Sequence, residues 1–277
     1  MILVTGAGGN VGQELVRELK LRNADYRIAS SRKNTDGIYM NFEDPASIEP
    51  ALSGVTRLFL LRPPHLADAK RYFGPVMDAA VRMGVKQIVF LSVMGADKNQ
   101  LVPHAKIEAL IQKSGIPYTF LRPGFFMQNL LNQHGEELIN ERTIFVPAGK
   151  GKTSFVNVAD IGAAAAKVLT EAGHENKAYD LTGSEALNYY EVAELLSAEW
   201  NETIKYANPS VPAFWKKMSR KGVKRDFLIV MIGIYMTAKL GMAKRVSPDL
   251  ECLLGRKPGT FPQYIAKTGR PNFHSTR

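Results

Sequence analysis

The chain has 277 residues, of which 45% are hydrophobic and 22% charged, as in an ordinary soluble globular protein. Its one cysteine, Cys252, excludes a disulfide scaffold and is typical of a reducing compartment, so we expect a cytoplasmic protein. The net charge of +10 favours an anionic ligand or surface. No zinc-finger spacing or recognition-helix pattern accompanies that charge, so no nucleic-acid partner is expected.

No signal peptide and no membrane span are predicted. Met1 leads directly into an apolar strand, which leaves no room for a leader. The longest uncharged apolar stretch, residues 227–238, has 12 residues, whereas a span needs about 20. We therefore expect no membrane partner and interpret this stretch as a helix that is buried or faces a protein partner. The basic run at 216–225 before it is typical of a solvated helix face.

The first twelve residues join a short apolar strand to a glycine-rich turn and a helix. Gly6, Gly9 and Gly12 have the spacing that lets a turn bind a pyrophosphate, because a backbone without side chains allows its close approach. The free N–H groups of the helix then face the phosphates. We expect the dinucleotide to contact Gly6, Ala7, Gly9, Asn10 and Val11.

Strands and helices then alternate along the chain. The apolar patterns predict strands at residues 2–4, 25–31, 38–42, 57–61, 86–92 and 118–121, and helices after the glycine turn and at 45–52, 67–83 and 104–113. Such alternation predicts right-handed crossovers and a parallel sheet. The fold class is therefore α/β, a Rossmann-type doubly wound sheet.

Beyond residue 124 the alternation loosens and helices dominate. We predict helices at 126–140, 160–171, 189–200 and 211–218, another from 226 and a last short one, with strands at 144–146, 153–158 and 178–181. Residues 149–153 are interpreted as a hairpin turn, and Asp160 as the cap of its helix. The predicted domains are an NAD(P)-binding domain at 1–183 and a smaller, mainly helical substrate-binding lobe at 184–277, with 125–150 bridging both.

The second strand bears on the choice of dinucleotide. An NAD site usually has a carboxylate about 20 residues past the glycines, but Arg32 stands there. A guanidinium binds a 2′-phosphate through two parallel hydrogen bonds, so NADPH is favoured over NADH. The alternative is that Arg32 is an ordinary loop charge.

Ligands of open α/β sheets bind beyond the carboxyl ends of the strands. We expect Asn41 and Phe42 to flank the adenine, and Ser92 to offer a hydroxyl near the nicotinamide. Phe125 and Phe126 are expected to line the pocket of a flat substrate. For each residue alone, loop or core packing is an equally good interpretation. Three other strand-end residues, Leu61, Arg62 and Pro123, are predicted to contact the cofactor, and Phe125 is predicted to contact it as well.

Several segments together resemble the NmrA-like branch of the atypical short-chain dehydrogenase/reductases. Besides the glycines and Arg32, the segments are 90–92, 104–108, 114–119, 121–129, 155–161 and the tail near Pro258. The resemblance extends along most of the chain. It implies either an NADPH-dependent quinone or azo-type reductase, a phenylpropanoid reductase, or a regulator that binds the dinucleotide without turnover.

The chain departs from the wider superfamily at one catalytic position. Its members pair Tyr with Lys in Y-x-x-x-K, where the Lys lowers the pKa of the Tyr so that it protonates a carbonyl. Lys106 matches the Lys, but Val102 stands in the place of the Tyr. A quinone still fits, because its hydroquinone anion can be protonated by water or by Lys106. Lys106 is also expected to hold the nicotinamide ribose, and His104 to relay protons, a structural histidine being the alternative.

The sequence therefore predicts an NADPH-dependent oxidoreductase that transfers hydride to a small quinone-like or conjugated acceptor. The alternatives are a dinucleotide-sensing regulator with a protein partner, and an epimerase or dehydratase acting on nucleotide sugars. No metal is expected, because the histidines are scattered (His65, His104, His134, His174 and His274) and one cysteine cannot form a structural zinc site. The oligomeric state stays open.

Overall fold

The computed structural model describes residues 1–270, which form two compact units, each assembled from separate segments. The first unit contains Met1–Pro123, Val158–Leu181 and Asp249–Arg256. The second contains Gly124–Asn157, Thr182–Pro248 and the described residues from Lys257 onward. The chain leaves the first unit at Leu181, close to the predicted boundary, but the division into independently folding domains stays a prediction.

A parallel sheet of seven strands forms the centre of the first unit, which confirms the predicted α/β class. Numbered in chain order over both units, its strands are β1 (Ile2–Val4), β2 (Tyr26–Ser30), β3 (Ile38–Tyr39), β4 (Arg57–Leu61), β5 (Gln87–Leu91), β6 (Tyr118–Pro123) and β10 (Lys177–Leu181). Their order across the sheet is β10-β6-β5-β4-β1-β2-β3, and all the pairings are parallel. The strand order reverses between β1 and β4, and the crevice at such a reversal is where doubly wound sheets bind ligands.

Helices pack around this sheet in the first unit. They are α1 (Asn10–Leu21), a 3-10 turn (Pro45–Ser47) followed by α2 (Ile48–Ala51), α3 (Ala69–Arg82), α4 (Pro103–Lys113), α6 (Val158–Thr170) and α10 (Asp249–Leu254). Helix α1 has one apolar face, on which Val11, Leu15 and Leu19 are buried. Asp160 lies in the first turn of α6, where it accepts a hydrogen bond from Arg256 Nη2 at 2.7 Å, and its role as a cap stays a prediction.

The second unit combines small sheets with helices around an aromatic core. Its elements are β7 (Phe125–Phe126), β8 (Thr143–Ile144), β9 (Phe155–Val156), β11 (Lys205–Tyr206), α5 (Gln128–Asn140), α7 (Tyr189–Trp200), α8 (Val211–Arg220), α9 (Arg225–Lys239) and α11 (Phe261–Thr268). Phe155 contacts the rings of Phe125, Tyr189 and Phe261 with centroids 5.5 to 5.8 Å apart. Edge contacts of this kind add to the energy of apolar burial.

Two predictions about this unit are wrong. The segment at 149–153 is not a hairpin turn, because β8 pairs with β11 and β9 pairs with β7, both in parallel. The start of the predicted helix at 126 belongs to β7, and the helix begins at Gln128. Strands of two residues carry too little periodicity to be recognised. Within residues 1–270, no helix has the length and apolar character needed to cross a membrane.

Candidate active site

Glycine backbone conformation and close contacts shape the turn between β1 and α1. Gly6 has φ +68°, in the left-handed region that glycine tolerates best. Gly9 N donates to Gly6 O at 3.0 Å, which closes the turn. A side chain at Gly12 would overlap the Gly6 carbonyl oxygen and stand 2.7 Å from Ala7 Cα. Gly6 and Gly12 are therefore required by the fold of the turn itself, whereas a Cβ at Gly9 would lie 3.4 Å from Gly6 O, an ordinary contact distance.

The turn presents an open helix end. Gly9 is the N-cap of α1, no side chain caps it, and the first turn of the helix has no acidic residue. Ala7 is partly buried, Gly9 and Asn10 are exposed, and Val11 is buried. The exposed backbone amides and the positive end of the helix dipole make this end suited to an anion. A dinucleotide pyrophosphate fits this end of the helix, because Gly8 faces open space, with no atom within 4 Å of the position that a Cβ would take.

Thr5 fixes the turn to the adjacent strand. Its hydroxyl donates to Phe59 O at 3.0 Å and accepts from Leu61 N at 2.9 Å. Leu61 in turn lies under Gly6, where an added Cβ would be 3.1 Å from its side chain. The carboxyl ends of β1 and β4 are thus held in register, and Leu61 lies beside the glycine turn, while its contact with the cofactor stays a prediction.

Arg32 lies in the exposed loop after β2. Its backbone is held by Ser30 Oγ, which accepts from Arg32 N and donates to Arg32 O, both at 3.1 Å. Its guanidinium has no hydrogen-bond or ion-pair partner among residues 1–270. The neighbouring Lys33 is held over the ring of Tyr39 at 5.1 Å. One unpaired cation therefore stands at the tip of β2, and no carboxylate lies on the strand itself.

A hydrogen bond holds Asn41, whereas apolar packing holds Phe42. Asn41 Oδ1 accepts from Glu43 N at 3.0 Å, which forms a tight turn after β3. Phe42 is buried and packs on Phe73, with ring centroids 5.1 Å apart. Phe42 is thus at least a core residue, and its contact with an adenine stays a prediction.

Ser92 belongs to a buried polar network at the end of β5. Its hydroxyl donates to Glu108 Oε1 at 2.5 Å, and Arg122 donates to both oxygens of that carboxylate at 3.0 and 2.6 Å. Asp97 lies further away, 3.8 Å from Arg122 Nη1. The hydrogen bonding that Arg122 donates to Glu108 is the largest cause that raises the pKa of Arg122. The Ser92 hydroxyl therefore already donates its only hydrogen to Glu108.

His104 and Arg62 form a second polar pair. Arg62 Nε donates to His104 Nε2 at 3.5 Å, while its Nη1 donates to the carbonyl oxygens of Pro63, Pro64 and Leu66. Burial, followed by the charge of Arg62, lowers the pKa of His104 from 6.5 to about 4. His104 is therefore neutral near pH 7 with its hydrogen on Nδ1, since Nε2 accepts.

Lys106 is exposed on the first turns of α4. Pro103 opens this helix and Val102 is its N-cap, so the place of the superfamily Tyr lies where the helix begins. The Lys106 ammonium has no ion pair or hydrogen bond in the described part of the chain. It is a free cation on the helix that also carries Glu108.

The remaining predicted residues lie on either side of a unit boundary. Pro123 ends β6 in the first unit, where its carbonyl accepts from Met94 N at 3.0 Å. Phe125 and Phe126 belong to the second unit. Phe125 is half-buried there and lies 6.3 Å from the ring of Tyr235.

Sequence reasoning missed the two charged members of the Ser92 network. Glu108 lies among buried positions of α4, and Arg122 follows the buried Phe120 and Leu121 on β6. A charged residue at a position that the pattern assigns to the core must have a partner, because an unpaired buried charge is costly. Applied to the sequence, this rule would have suggested an ion pair between Glu108 and Arg122.

The second unit contains another buried polar cluster. His134 Nε2 and the Tyr235 hydroxyl share a hydrogen bond, while Glu137 accepts from Lys221 Nζ at 2.8 Å. Burial is the largest cause that lowers the pKa of His134 from 6.5 to about 4, and the charge of Lys221 adds to it. Residues 1–270 contain no group of acidic, His or Cys side chains suited to a metal ion, and His274 lies outside them.

Comparison with known proteins decides the family. The model of the NmrA-like family matches residues 1–240. The chain belongs to the NmrA-like family. Among its NmrA-like relatives is the NAD(P)H azoreductase of Xenophilus azovorans, which is 30% identical over 95% of this chain and 96% of the relative.

Two solved structures of similar proteins carry a nicotinamide cofactor. The quinone oxidoreductase QOR2 of Escherichia coli, complexed with NADPH, has a TM-score of 0.87 and 26% identity, and covers 97% of this chain and 99% of its own. The triphenylmethane reductase of Citrobacter sp., complexed with NADP(H), has a TM-score of 0.85 and 26% identity, with coverages of 96% and 99%.

Proposed function

We propose that this NmrA-like protein is an NADPH-dependent oxidoreductase that reduces a small quinone-like or conjugated acceptor. The observation that carries the proposal is the pairing of an uncapped glycine turn with the unpaired Arg32 guanidinium at the tip of β2. The relatives named as NAD(P)H azoreductase and NADPH-dependent quinone oxidoreductase support it. Bound NADPH supplies a hydride, which with one proton converts a quinone to a hydroquinone.

The proposed cofactor contacts follow the strand ends of the first unit. The amides of Asn10 and Val11 at the start of α1 bind the pyrophosphate, and Arg32 binds the 2′-phosphate. Leu61, Arg62 and Pro123, with the residues at 41 and 42, line the remaining course of the cofactor. Phe125 and Phe126 contribute flat apolar surface to the acceptor pocket.

The catalytic groups have unequal roles in this proposal. Lys106, with its free ammonium, holds the nicotinamide ribose and stabilises the anion that hydride transfer leaves on the acceptor. Ser92 positions the end of β5, because its hydrogen is donated to Glu108. His104 positions Arg62 as a neutral acceptor instead of relaying protons, because its low pKa keeps it unprotonated.

The experiment is a comparison of steady-state kinetics with NADPH and NADH, using menadione and 1,4-benzoquinone as acceptors. We expect a higher kcat/KM with NADPH. Replacing Arg32 with Glu removes a charge-assisted contact and adds repulsion, so kcat/KM for NADPH should fall by about ten- to a hundredfold, while that for NADH changes little. Lys70→Glu, an equal charge change on exposed α3, is the matched control.

Two results would contradict the proposal. Equal loss of both cofactors in the Arg32 variant would remove the assigned role of that residue. Calorimetric binding of NADPH without turnover of a broad acceptor panel would instead favour the dinucleotide-sensing regulator.

A further inference from the structure

Helix α9 is apolar on both of its faces. Leu228, Met231 and Tyr235 are buried against the second unit, so this stripe belongs to its core. On the other side Phe227, Ile229, Val230 and Ile234 are between 42% and 54% exposed. A helix that is apolar all round is normally covered on every side, so the outward face lacks its complement within the chain.

The exposed apolar residues are concentrated in this region. Eleven large apolar side chains are exposed in the described part of the chain, and seven of them lie within residues 227–246. Leu240 and Met242, just after the helix, are 66% and 62% exposed. We call this the α9 surface, formed by Phe227, Ile229, Val230, Ile234, Leu240, Met242 and Val246. Exposed apolar side chains concentrated in one segment are typical of an interaction site.

Cations are concentrated in and beside the stretch of chain that carries the α9 surface. Residues 216–248 contain nine Lys and Arg side chains and one carboxylate, Asp226, and so carry +8 of the net charge of +10. Lys221 is paired with Glu136 and Glu137 of α5, and Lys217 with Glu141 just after that helix. Six others have no ion pair among residues 1–270: Lys216, Arg220, Lys224, Arg225, Lys239 and Lys244. These six are all exposed.

We infer that the α9 surface docks on a membrane that contains anionic phospholipid. An apolar face with a basic rim matches the boundary between acyl chains and acidic headgroups. A second copy of the chain fits poorly, because a two-fold contact would bring the two basic rims together. Nucleic acid would satisfy the cations but leave seven apolar side chains against phosphates.

Docking would be peripheral. Helix α9 has 15 residues and is about 22 Å long, whereas the hydrocarbon core is about 30 Å thick. Helix α9 therefore lies along the surface of the bilayer, with its exposed apolar face toward the acyl chains. The expectation of no membrane partner rested on the lack of a spanning segment, which this mode does not need.

The test is flotation of the full chain with vesicles of phosphatidylcholine containing a quarter phosphatidylglycerol, compared with phosphatidylcholine alone. We expect binding to the anionic vesicles only, weakened by high salt. Ile229→Asp with Val230→Asp should weaken it at least tenfold, whereas Leu101→Asp, at a side chain that is 83% exposed in the first unit, should not. Unchanged thermal unfolding of each variant shows that the fold is intact.

A charge-matched pair tests the basic rim. Lys216→Glu with Lys244→Glu should weaken vesicle binding at least tenfold, and Lys70→Glu with Lys113→Glu, the same change in net charge elsewhere, should leave it within about twofold. Equal loss in both pairs would overturn the inference, because net charge alone would then explain the binding. No flotation with anionic vesicles, or a dimer that Ile229→Asp with Val230→Asp dissociates, would overturn it as well.

Discussion

Glu108 stabilises two neighbours at once, because it accepts from the Ser92 hydroxyl and from two nitrogens of Arg122. The side chains of Glu108 and Arg122 are 7% and 14% exposed, so water cannot replace either partner. Glu108→Gln keeps the size of the side chain but leaves the Arg122 cation without its carboxylate. We expect a loss of about 3 kcal/mol in the free energy of unfolding, measured by urea denaturation.

The surface pair Arg82–Glu49 is the control for this loss. Its side chains are 58% and 49% exposed, with a nitrogen–oxygen distance of 2.8 Å. Glu49→Gln should cost less than about 1 kcal/mol, because solvent screens both charges. Similar losses in the two variants would show that the buried pair contributes no more than a surface pair.

His134 should make the stability of the chain depend on pH. Its pKa is about 4 in the folded chain, below the ordinary 6.5, so the unfolded chain binds this proton more tightly. The stabilising effect of the neutral imidazole is complete above pH 6.5 and is lost as the pH falls toward 4. We expect this residue to account for roughly 3 kcal/mol over that window, measured as the unfolding free energy at successive pH values.

A variant separates His134 from the other groups that titrate there. His134→Gln should reduce the pH slope by about one proton between pH 6.5 and 4. A slope that persists in the His134 variant would assign it to other groups, of which His104 is the first candidate because its pKa is lowered in the same way.

At the residue scale, the sequence indicates which residues lie at the strand ends but not which hydrogen bonds they make. The glycine spacing and Arg32 could be read directly because they are local patterns. The Ser92 hydroxyl donates to Glu108, which is 16 residues away in the chain. These two residues meet only because α4 packs against the sheet. The same is true of Arg62 and His104, which are 42 apart.

Among the helices, α1 and α6 cross closely because Gly162 has no side chain. An added Cβ there would stand 2.6 Å from Glu14 Cβ and 2.8 Å from the backbone of Glu14. Gly162→Ala should therefore push the helices apart and cost about 1 to 3 kcal/mol in thermal or urea unfolding.

The expected sign is opposite at Gly233 in α9. A Cβ at that position meets nothing within 4 Å, so Gly233→Ala should stabilise the chain by up to about 1 kcal/mol through helix propensity. If both variants are stabilised, α1 and α6 can separate at little cost and the close crossing is not a constraint.

The accuracy of prediction also varies with the length of an element. β1 and β4 match their predicted bounds, because each is a buried apolar run between turn signals. β7, β8, β9 and β11 have two residues each and pair with distant segments, so no local pattern specifies them. Helix α10 was missed for a related reason, since its six residues are too few for a periodic signal.

In the molecule as a whole, the first unit is completed by residues from late in the chain. Helix α10 packs on α6 and on β10, and Asp249 Oδ2 accepts from Asp180 N at 2.8 Å. A fragment of residues 1–183 lacks this helix, so we expect it to unfold at a lower temperature than the full chain or to aggregate, as measured by calorimetry and light scattering. A fragment 1–183 that melts like the full chain would instead establish the predicted boundary.

The interleaving of the segments also has a consequence for biosynthesis. A protein emerges from the ribosome with its amino end first. The edge strand β10, however, is covered by α10, which lies after residue 248. Until that helix emerges, the nascent sheet has an uncovered flank on which other polypeptides can add. We expect slow translation of the region encoding 182–248 to prolong this exposure and to increase the demand for chaperones.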